Sequence, residues 1–269
     1  MTAYTSIFDL ESAMAPIDTD CPLYPYLNLY AKKADNLLDR VNGVSADEKK
    51  IIVNGFLKSL TQRIMNTANN VLVAEREILA TTLSKENISS SDFYQILRNN
   101  SDYLQDILTS YPELHRILLQ ITQNYVDFTI EFCIHLGLDR LELFKLCSVR
   151  SGDLITECNV SMGETHKRSR TVVIVRFSNL QQVVYKPRSL HVEECASNLL
   201  KFLRSKAATS YESWVIPSYI NKSSHGWAQH TGQMPADNEE DVSTFYKRIG
   251  FLLGFCTSVT ASDITSDNL

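Results

Sequence analysis

The chain has 269 residues, of which 44% are apolar and 21% are charged, and its formal net charge is −5. This composition is typical of a soluble globular protein with one sizeable core, and the negative charge argues against a broad electrostatic grip on nucleic acid. No stretch approaches the roughly 20 consecutive apolar residues of a membrane helix, and residues 1–10 lack the basic start of a secretory signal.

Six cysteines are scattered along the chain. None lies two or three residues from another, so their spacing indicates neither a zinc site nor a disulfide framework. We therefore expect reduced and mostly buried thiols in a cytoplasmic protein.

The first half of the chain is predicted to be helical. Glycine is scarce there, and apolar residues in 53–72 recur at three- and four-residue steps. Ser45 and Glu48 have the spacing of a capping box that would begin this helix. A second long helix is predicted after Pro112, with Gly137 marking its end. Shorter helices fit residues 91–97, 102–108 and 141–147.

Beyond residue 150 the pattern changes to short runs rich in β-branched residues. Segments 170–177 and 181–185 predict a β-hairpin with a short polar turn, and 153–160 predicts a preceding strand. Ser189 is placed to cap the helix that follows. Two more strands are predicted at 214–220 and 226–229.

A final helix is predicted from about Glu239. Its buried face would consist of Val242, Phe245, Tyr246, Ile249, Leu252, Leu253 and Cys256. Strands mixed with helices after an all-helical start predict an α+β fold. We expect a helical region at 1–150 and a sheet-containing domain at 151–269.

Three polar clusters stand out, at residues 163–170, 185–190 and 262–268. In the second, Lys186 ends a predicted strand and a helix follows directly. Protein kinases have the same order, in which a strand lysine that binds nucleotide phosphates is followed by a helix. Glu193 or Glu194 of that helix would be its partner. A lysine at a strand end, taken alone, is more often an ordinary surface residue.

The third cluster places Asp263 and Asn268 at the D-x-x-x-x-N spacing of the kinase catalytic loop. The same spacing also arises in turns, where Asp and Asn bond to the backbone. In the first cluster, His166 and Glu164 lie beside three cations, which fits either an anion site with a proton-exchanging histidine or a solvated charge run. Neither a G-x-G-x-x-G loop nor a G-x-x-x-x-G-K-[ST] loop occurs.

Together the clusters resemble the type 2 lanthipeptide synthetases, the LanM enzymes. That family carries G-D-x-H-x-x-G-R, a strand, Y-K-P-R-S-L and later D-x-H-x-x-N, and this chain has G-E-T-H-K-R-S-R, Y-K-P-R-S-L and D-I-T-S-D-N in that order. The resemblance extends from about residue 50 to the end. Further matching segments are E-x-x-x-L at 75–79, Y-P-x-L-x-R at 111–116, G-W at 226–227 and F-Y-x-R-x-G at 245–250.

The resemblance implies part of a dehydratase domain with a lipid-kinase-like N-lobe built on an antiparallel sheet. Such a domain uses ATP and Mg²⁺ to phosphorylate Ser and Thr of a precursor peptide, and then eliminates phosphate to give dehydroalanine and dehydrobutyrine. Lys186 and Arg188 would bind ATP, and Asn268 would help to bind Mg²⁺. Asp263 would orient or deprotonate the peptide hydroxyl.

The remaining implied residues include departures from the family pattern. His166 would act on the phosphorylated peptide, with Glu164 at the family's aspartate position, where one extra methylene moves the carboxylate by about an ångström. Thr265 stands where the family has a histidine, which removes a group that titrates near neutral pH. Ser169 stands where the family has a glycine, the residue that adopts positive φ most readily.

The sequence stops one residue after Asn268, so we expect a partial dehydratase domain that lacks its larger lobe and the family's zinc-bound cyclase. On this interpretation the chain alone is inactive. One alternative is a non-catalytic module that binds a leader peptide or a partner chain. Another is an unrelated α+β protein whose motifs coincide by chance.

Overall fold

The computed structural model of the chain describes residues 21–84, 86–146, 150, 152–161, 167–206, 217–232 and 235–262. Within these ranges the fold combines seven α-helices with one antiparallel five-stranded sheet, which confirms the predicted mixture. The helices are α1 (Tyr24–Leu38), α2 (Ala46–Thr82), α3 (Ser90–Asn99), α4 (Ser101–Ser110), α5 (Pro112–Leu146), α6 (His191–Lys206) and α7 (Glu239–Ser258). The strands are β1 (Ile155–Val160), β2 (Val173–Phe177), β3 (Gln182–Lys186), β4 (Tyr219–Asn221) and β5 (Gly226–Gln229).

The predicted capping box begins α2. The Glu48 backbone N–H donates to Ser45 Oγ over 3.3 Å, and the Ser45 backbone N–H donates to Glu48 Oε2 over 3.0 Å. These bonds satisfy donors that the first turn of a helix leaves without intrahelical partners. The short helices predicted at 91–97 and 102–108 are confirmed as parts of α3 and α4. Helix α1 had no counterpart among the predicted elements.

Helix α5 corrects the prediction at Gly137. The helix continues past this glycine to Leu146, so residues 141–146 of the separate helix predicted at 141–147 are the last part of α5, and residue 147 lies outside the described residues. A Cβ at Gly137 would lie 2.3 Å from the carbonyl oxygen of Asn42. The absence of a side chain therefore allows the turn before α2 to lie against α5, rather than ending the helix.

The sheet has the strand order β1-β2-β3-β5-β4, with every neighbouring pair antiparallel. The predicted β2–β3 hairpin is confirmed, and Leu180 in its turn has a φ of 68°. Strand β2 begins at Val173, later than predicted. The strand expected at 214–220 is the short β4, and residues 214–216 lie outside the described ranges.

The helices and one face of the sheet share an aromatic core. Phe132 of α5 lies with its ring centroid 5.1 Å from that of Tyr185 on β3 and 5.9 Å from that of Trp227 on β5. Phe56 of α2 lies 5.8 Å from Phe132. The division of the chain at residue 150 stays a prediction, and buried apolar residues from both parts belong to this core.

Helix α7 corrects the prediction of a buried apolar face. Val242, Phe245, Tyr246 and Leu253 are 43–68% exposed. Ile249, Leu252 and Cys256 are half-buried. Periodicity identifies an apolar face correctly, but burial also requires a surface that packs on it, and the described elements do not cover this face. Among the described helices, none has a segment both long and apolar enough to cross a membrane.

Candidate functional site

The structure places two of the six predicted site residues. Lys186 and Arg188 lie at the end of β3 and in the connection to α6. The predicted residues Glu164, His166, Asp263 and Asn268 lie outside the described residues, as does Thr265.

Lys186 and Arg188 converge on Glu193 in the first turn of α6. Lys186 Nζ lies 3.7 Å from Glu193 Oε1, and the Arg188 guanidinium donates to both carboxylate oxygens over 2.6 and 3.2 Å. Burial acts to raise the pKa of Glu193, but the bonds from Arg188 and the nearby charge of Lys186 hold that pKa below its ordinary value. Glu193 is therefore the helix carboxylate that pairs with the strand lysine, and a two-cation, one-carboxylate group results.

A row of residues across three strands links Lys186 to the start of α6. Lys186 lies opposite Gly226 of β5, and Gly226 lies opposite Asn221 of β4. Asn221 Oδ1 accepts the backbone N–H of Leu190 over 2.9 Å. The Asn221 side-chain amide also donates to Glu194 over 3.1 Å. The row thus holds the strand lysine and the helix that carries its partner in one register.

Gly226 is required in this row because Leu190 occupies the space where its side chain would be. A Cβ on Gly226 would lie 2.5 Å from Leu190 Cγ and 2.9 Å from the backbone oxygen of Ile220. Leu190 is fully buried. The G-W segment and the last residue of Y-K-P-R-S-L are therefore in direct contact.

The described end of the first cluster packs against α5. Arg170 donates through Nε to Glu131 of α5 over 3.0 Å and also through its terminal nitrogen, and these bonds raise the pKa of Arg170. Ser169 adopts a φ of 58°, so the serine takes up the positive φ that the family's glycine would favour. The turn keeps a glycine-like conformation in spite of the substitution.

Two upstream segments of the resemblance also meet. Tyr111 directly precedes Pro112 at the start of α5. Its hydroxyl donates to Glu75 Oε1 of α2 over 2.9 Å. The E-x-x-x-L and Y-P-x-L-x-R segments therefore connect the two longest helices.

Residues 111–269 match a protein family described as "Domain of unknown function (DUF4135)". The chain belongs to this family. It is also 18% identical over 235 residues to the "Lacticin 481/lactococcin biosynthesis protein LcnDR2" of Lactococcus lactis subsp. lactis. That alignment covers 84% of this chain and 25% of the relative, so the chain spans about a quarter of the relative's length. The two matches support the resemblance to LanM-type lanthipeptide synthetases.

The DUF4135 segment contains a buried polar cluster that sequence reasoning missed. Asp139 of α5, which is 5% exposed, accepts hydrogen bonds at Oδ2 from His225 Nε2 over 2.6 Å and from Trp227 Nε1 over 2.8 Å. Lys222 Nζ lies 3.3 Å from Asp139 Oδ1 and 2.6 Å from Glu142 Oε1. Burial acts to raise the pKa of Asp139, but the bonds from His225 and Trp227 and the charge of Lys222 bring it below its ordinary value.

Two histidines complete this cluster. His135, one turn before Asp139, stacks on His225 with ring centroids 3.6 Å apart and planes 5° from parallel. Its Nδ1 lies 2.9 Å from the Tyr185 hydroxyl. Burial and the neighbouring His225 lower the pKa of His135. The sequence signal was the i, i+4, i+8 spacing of Glu131, His135 and Asp139, which places all three on one side of α5.

The described residues contain no group of three or more His, Cys, Asp or Glu side chains arranged to hold a metal ion. An open groove of about 310 Å³ lies between α1 and α5 and does not include Lys186. It is lined by Leu37, Asp127, Ile130, Glu131, Ile134 and His135.

Proposed function

We propose that this chain supplies the phosphate-binding strand and helix of an ATP- and Mg²⁺-dependent dehydratase that modifies Ser and Thr of a precursor peptide. In this proposal the sheet with α6 is a lipid-kinase-like N-lobe. The naming of the Lactococcus lactis relative for lacticin 481 and lactococcin biosynthesis supports a peptide as the substrate.

One observation carries the proposal. Lys186 ends a sheet strand, and its ammonium lies 3.7 Å from Glu193 of the helix that follows directly. Protein kinases orient the lysine that binds nucleotide phosphates with a helix glutamate in the same way. The Lys186 side chain is 31% exposed, and that of Arg188 is 45% exposed, so both cations can reach an anionic ligand. Two cations near dispersed phosphate charge would stabilise it electrostatically.

The proposed reaction has two steps. The peptide hydroxyl oxygen attacks the γ-phosphorus of ATP, the bond to the β-phosphate oxygen breaks, and ADP leaves while Asp263 takes the hydroxyl proton. A base then removes the Cα proton, the Cβ–O bond breaks, and phosphate leaves as the Cα–Cβ double bond forms. His166 and Glu164 are proposed for this second step. The net change in the peptide is the loss of one water.

The Mg²⁺ ion of this proposal would be held in part by Asn268, which lies outside the described residues. Magnesium would neutralise charge that develops on the phosphates.

Binding of ATP tests the proposal. We expect the purified chain to bind MgATP in a calorimetric titration and Lys186→Ala to weaken that binding by about tenfold, the effect of one charge-assisted hydrogen bond. Lys201→Ala, at an exposed position of α6, is the matched control and should leave the dissociation constant unchanged. Equal affinities for all three proteins, or no binding by the wild type, would contradict the proposal.

Dehydration by the chain alone is a separate prediction. We expect no loss of water mass from a precursor peptide after incubation with the chain, ATP and Mg²⁺, as measured by mass spectrometry. A peptide that gains a phosphoryl group, or loses water, would show that this chain carries out the first step or both steps.

The exposed apolar residues of α6 and α7 favour a second candidate function, which is binding of a leader peptide or a partner chain. Phe202 is 57% exposed and Phe245 is 56% exposed, and each lies beside other exposed apolar residues of its helix, Leu199 and Leu203 on α6 and Val242 and Tyr246 on α7. Contiguous exposed apolar surface of this kind, rather than single exposed side chains, marks binding sites. We expect leader peptide to release heat on titration into the chain and Phe245→Ser to remove most of that heat. No heat from the wild type would count against this candidate.

A further inference from the structure

The Asp139 carboxylate binds two side chains at the start of one strand. His225, which directly precedes β5, and Trp227 of β5 both donate to the same oxygen, Asp139 Oδ2, over 2.6 and 2.8 Å. Since alternate residues of a strand point to the same face, both side chains reach α5 from one side of the sheet. Gly226 lies between them.

Gly226 is also the residue that faces Lys186 across the β3–β5 ladder. Asp139 thus fixes the positions immediately before and after the backbone partner of Lys186. The opposite face of Gly226 carries Leu190, from which α6 continues to Glu193. The clamp, which consists of the Asp139 carboxylate with His225 and Trp227, therefore acts on Lys186 through the sheet register. It acts on Glu193 through the start of α6.

We propose that Asp139 is a positioning residue for Lys186. This inference rests on the proposed function, in which Lys186 binds the phosphates of ATP. Asp139 itself lies on the helix-facing side of the sheet with its side chain 7% exposed, so in this proposal it acts through Lys186 and not on the nucleotide directly. It fixes the position of β5 along α5, and this maintains the pairing of the Lys186 ammonium with Glu193.

Neighbouring groups keep this clamp rigid. His135 stacks on His225 at 3.6 Å and fixes the plane of the imidazole that donates to Asp139. Lys222, 3.3 Å from Asp139 Oδ1, balances the buried charge from the turn between β4 and β5. A carboxylate that accepts two hydrogen bonds and one ion pair has a single preferred orientation, as a positioning group requires.

The test compares Asp139→Asn with Asp127→Asn, an exposed aspartate on the same helix whose Oδ1 accepts a hydrogen bond from Gln123. The full 269-residue chain is titrated with trinitrophenyl-labelled ATP plus Mg²⁺ and with trinitrophenyl-labelled adenosine. The dissociation constant for the adenosine ligand divided by that for the ATP ligand measures how much the phosphates contribute to binding. Loss of folded protein would weaken the apparent binding of both ligands equally and leave the ratio unchanged. Misplacement of Lys186 should weaken binding of the ATP ligand alone and so lower the ratio.

We expect the preference for ATP over adenosine to fall about three- to tenfold in Asp139→Asn, with adenosine affinity unchanged, because a misplaced donor loses part of a charge-assisted bond. Asp127→Asn should match the wild type. If Asp139→Asn does not fold, Trp227→Phe removes one donor from the clamp and should lower the same ratio. An unchanged ratio, or equal weakening of both ligands, would overturn the inference.

A second readout needs no nucleotide. The rate at which an amine-reactive reagent labels Lys186, measured by peptide mass mapping against exposed Lys201, should rise severalfold in Asp139→Asn as pairing with Glu193 loosens. If the wild type shows no preference for ATP, the proposed function fails, and this labelling then decides whether Asp139 positions Lys186. No change in labelling would overturn that role as well.

Discussion

Glu48 connects three elements of the fold, and its removal should destabilise the protein severely. The carboxylate is 2% exposed. Its Oε1 accepts Arg140 Nη2 of α5 over 2.7 Å and the backbone N–H of Ile155 in β1 over 3.0 Å. Its Oε2 accepts the backbone N–H of Ser45 before α2 over 3.0 Å. One side chain therefore joins the start of α2 to α5 and to the first strand of the sheet.

The magnitude follows from the groups that Glu48→Ala would leave without a partner. Breaking a buried ion pair by removing one member costs about 3–5 kcal/mol, and a buried backbone N–H without an acceptor costs about 1–3 kcal/mol. Arg140 keeps a bond to the Asp153 carbonyl oxygen over 3.0 Å and its side chain is 13% exposed, so part of its loss is recovered. We expect a net destabilisation of about 4 kcal/mol, a large share of the roughly 5–15 kcal/mol of a typical domain.

Urea unfolding followed by circular dichroism measures this change. The matched control is Glu113→Ala, which removes the exposed carboxylate that pairs with Arg116 over 2.6 Å one turn along α5. Both side chains of that pair are exposed to solvent, so the control should have the same urea midpoint of unfolding as the wild type. A loss below about 1 kcal/mol for Glu48→Ala, or an equal loss in the control, would refute the reasoning.

Three further predictions concern glycine positions, backbone strain and pH. Gly55→Ala should destabilise by about 2 kcal/mol in urea unfolding because its Cβ would lie 2.2 Å from the Cys158 carbonyl oxygen, whereas Gly254→Ala, in open space on α7, should stabilise that helix by about 0.5–1 kcal/mol. Ser169→Gly should raise stability by about 0.5 kcal/mol in the same assay because it relieves a positive φ; no gain would show that the serine is unstrained. The pKa of His135 is lower in the folded protein than its ordinary 6.5, so stability should be complete above about pH 6.5 and decline below it. Thermal midpoints at several pH values should show this decline, and His135→Gln should reduce it.

Local patterns predicted most of the elements correctly. Periodicity located α2 and α5, the Ser45–Glu48 spacing identified a capping box, and the β-branched runs identified the β2–β3 hairpin. These succeeded because helix turns, caps and hairpins form between residues that are close in sequence. Of the site, the same local reasoning placed Lys186 at the strand end and offered Glu193 or Glu194 as its partner.

The failures lie where a distant part of the chain decides the outcome. Gly137 is interpreted locally as the end of a helix, but the backbone of Asn42 packs on it. The apolar stripe of α7 is interpreted as core, but its burial depends on which surface packs there.

The predicted residues 164, 166, 263 and 268 lie outside the described residues, and their roles stay predictions.

The sequence by itself determined most of the elements, their order along the chain and the resemblance to LanM-type synthetases, because motifs and periodicity are properties of neighbouring residues. Only the tertiary structure decided that Glu193 is the nearer partner of Lys186. It also brought Asp139 to His225 and Trp227, which are more than eighty residues away in the chain. Such long-range hydrogen bonds form only after helix and sheet have packed, since no local pattern specifies which buried donor meets which acceptor.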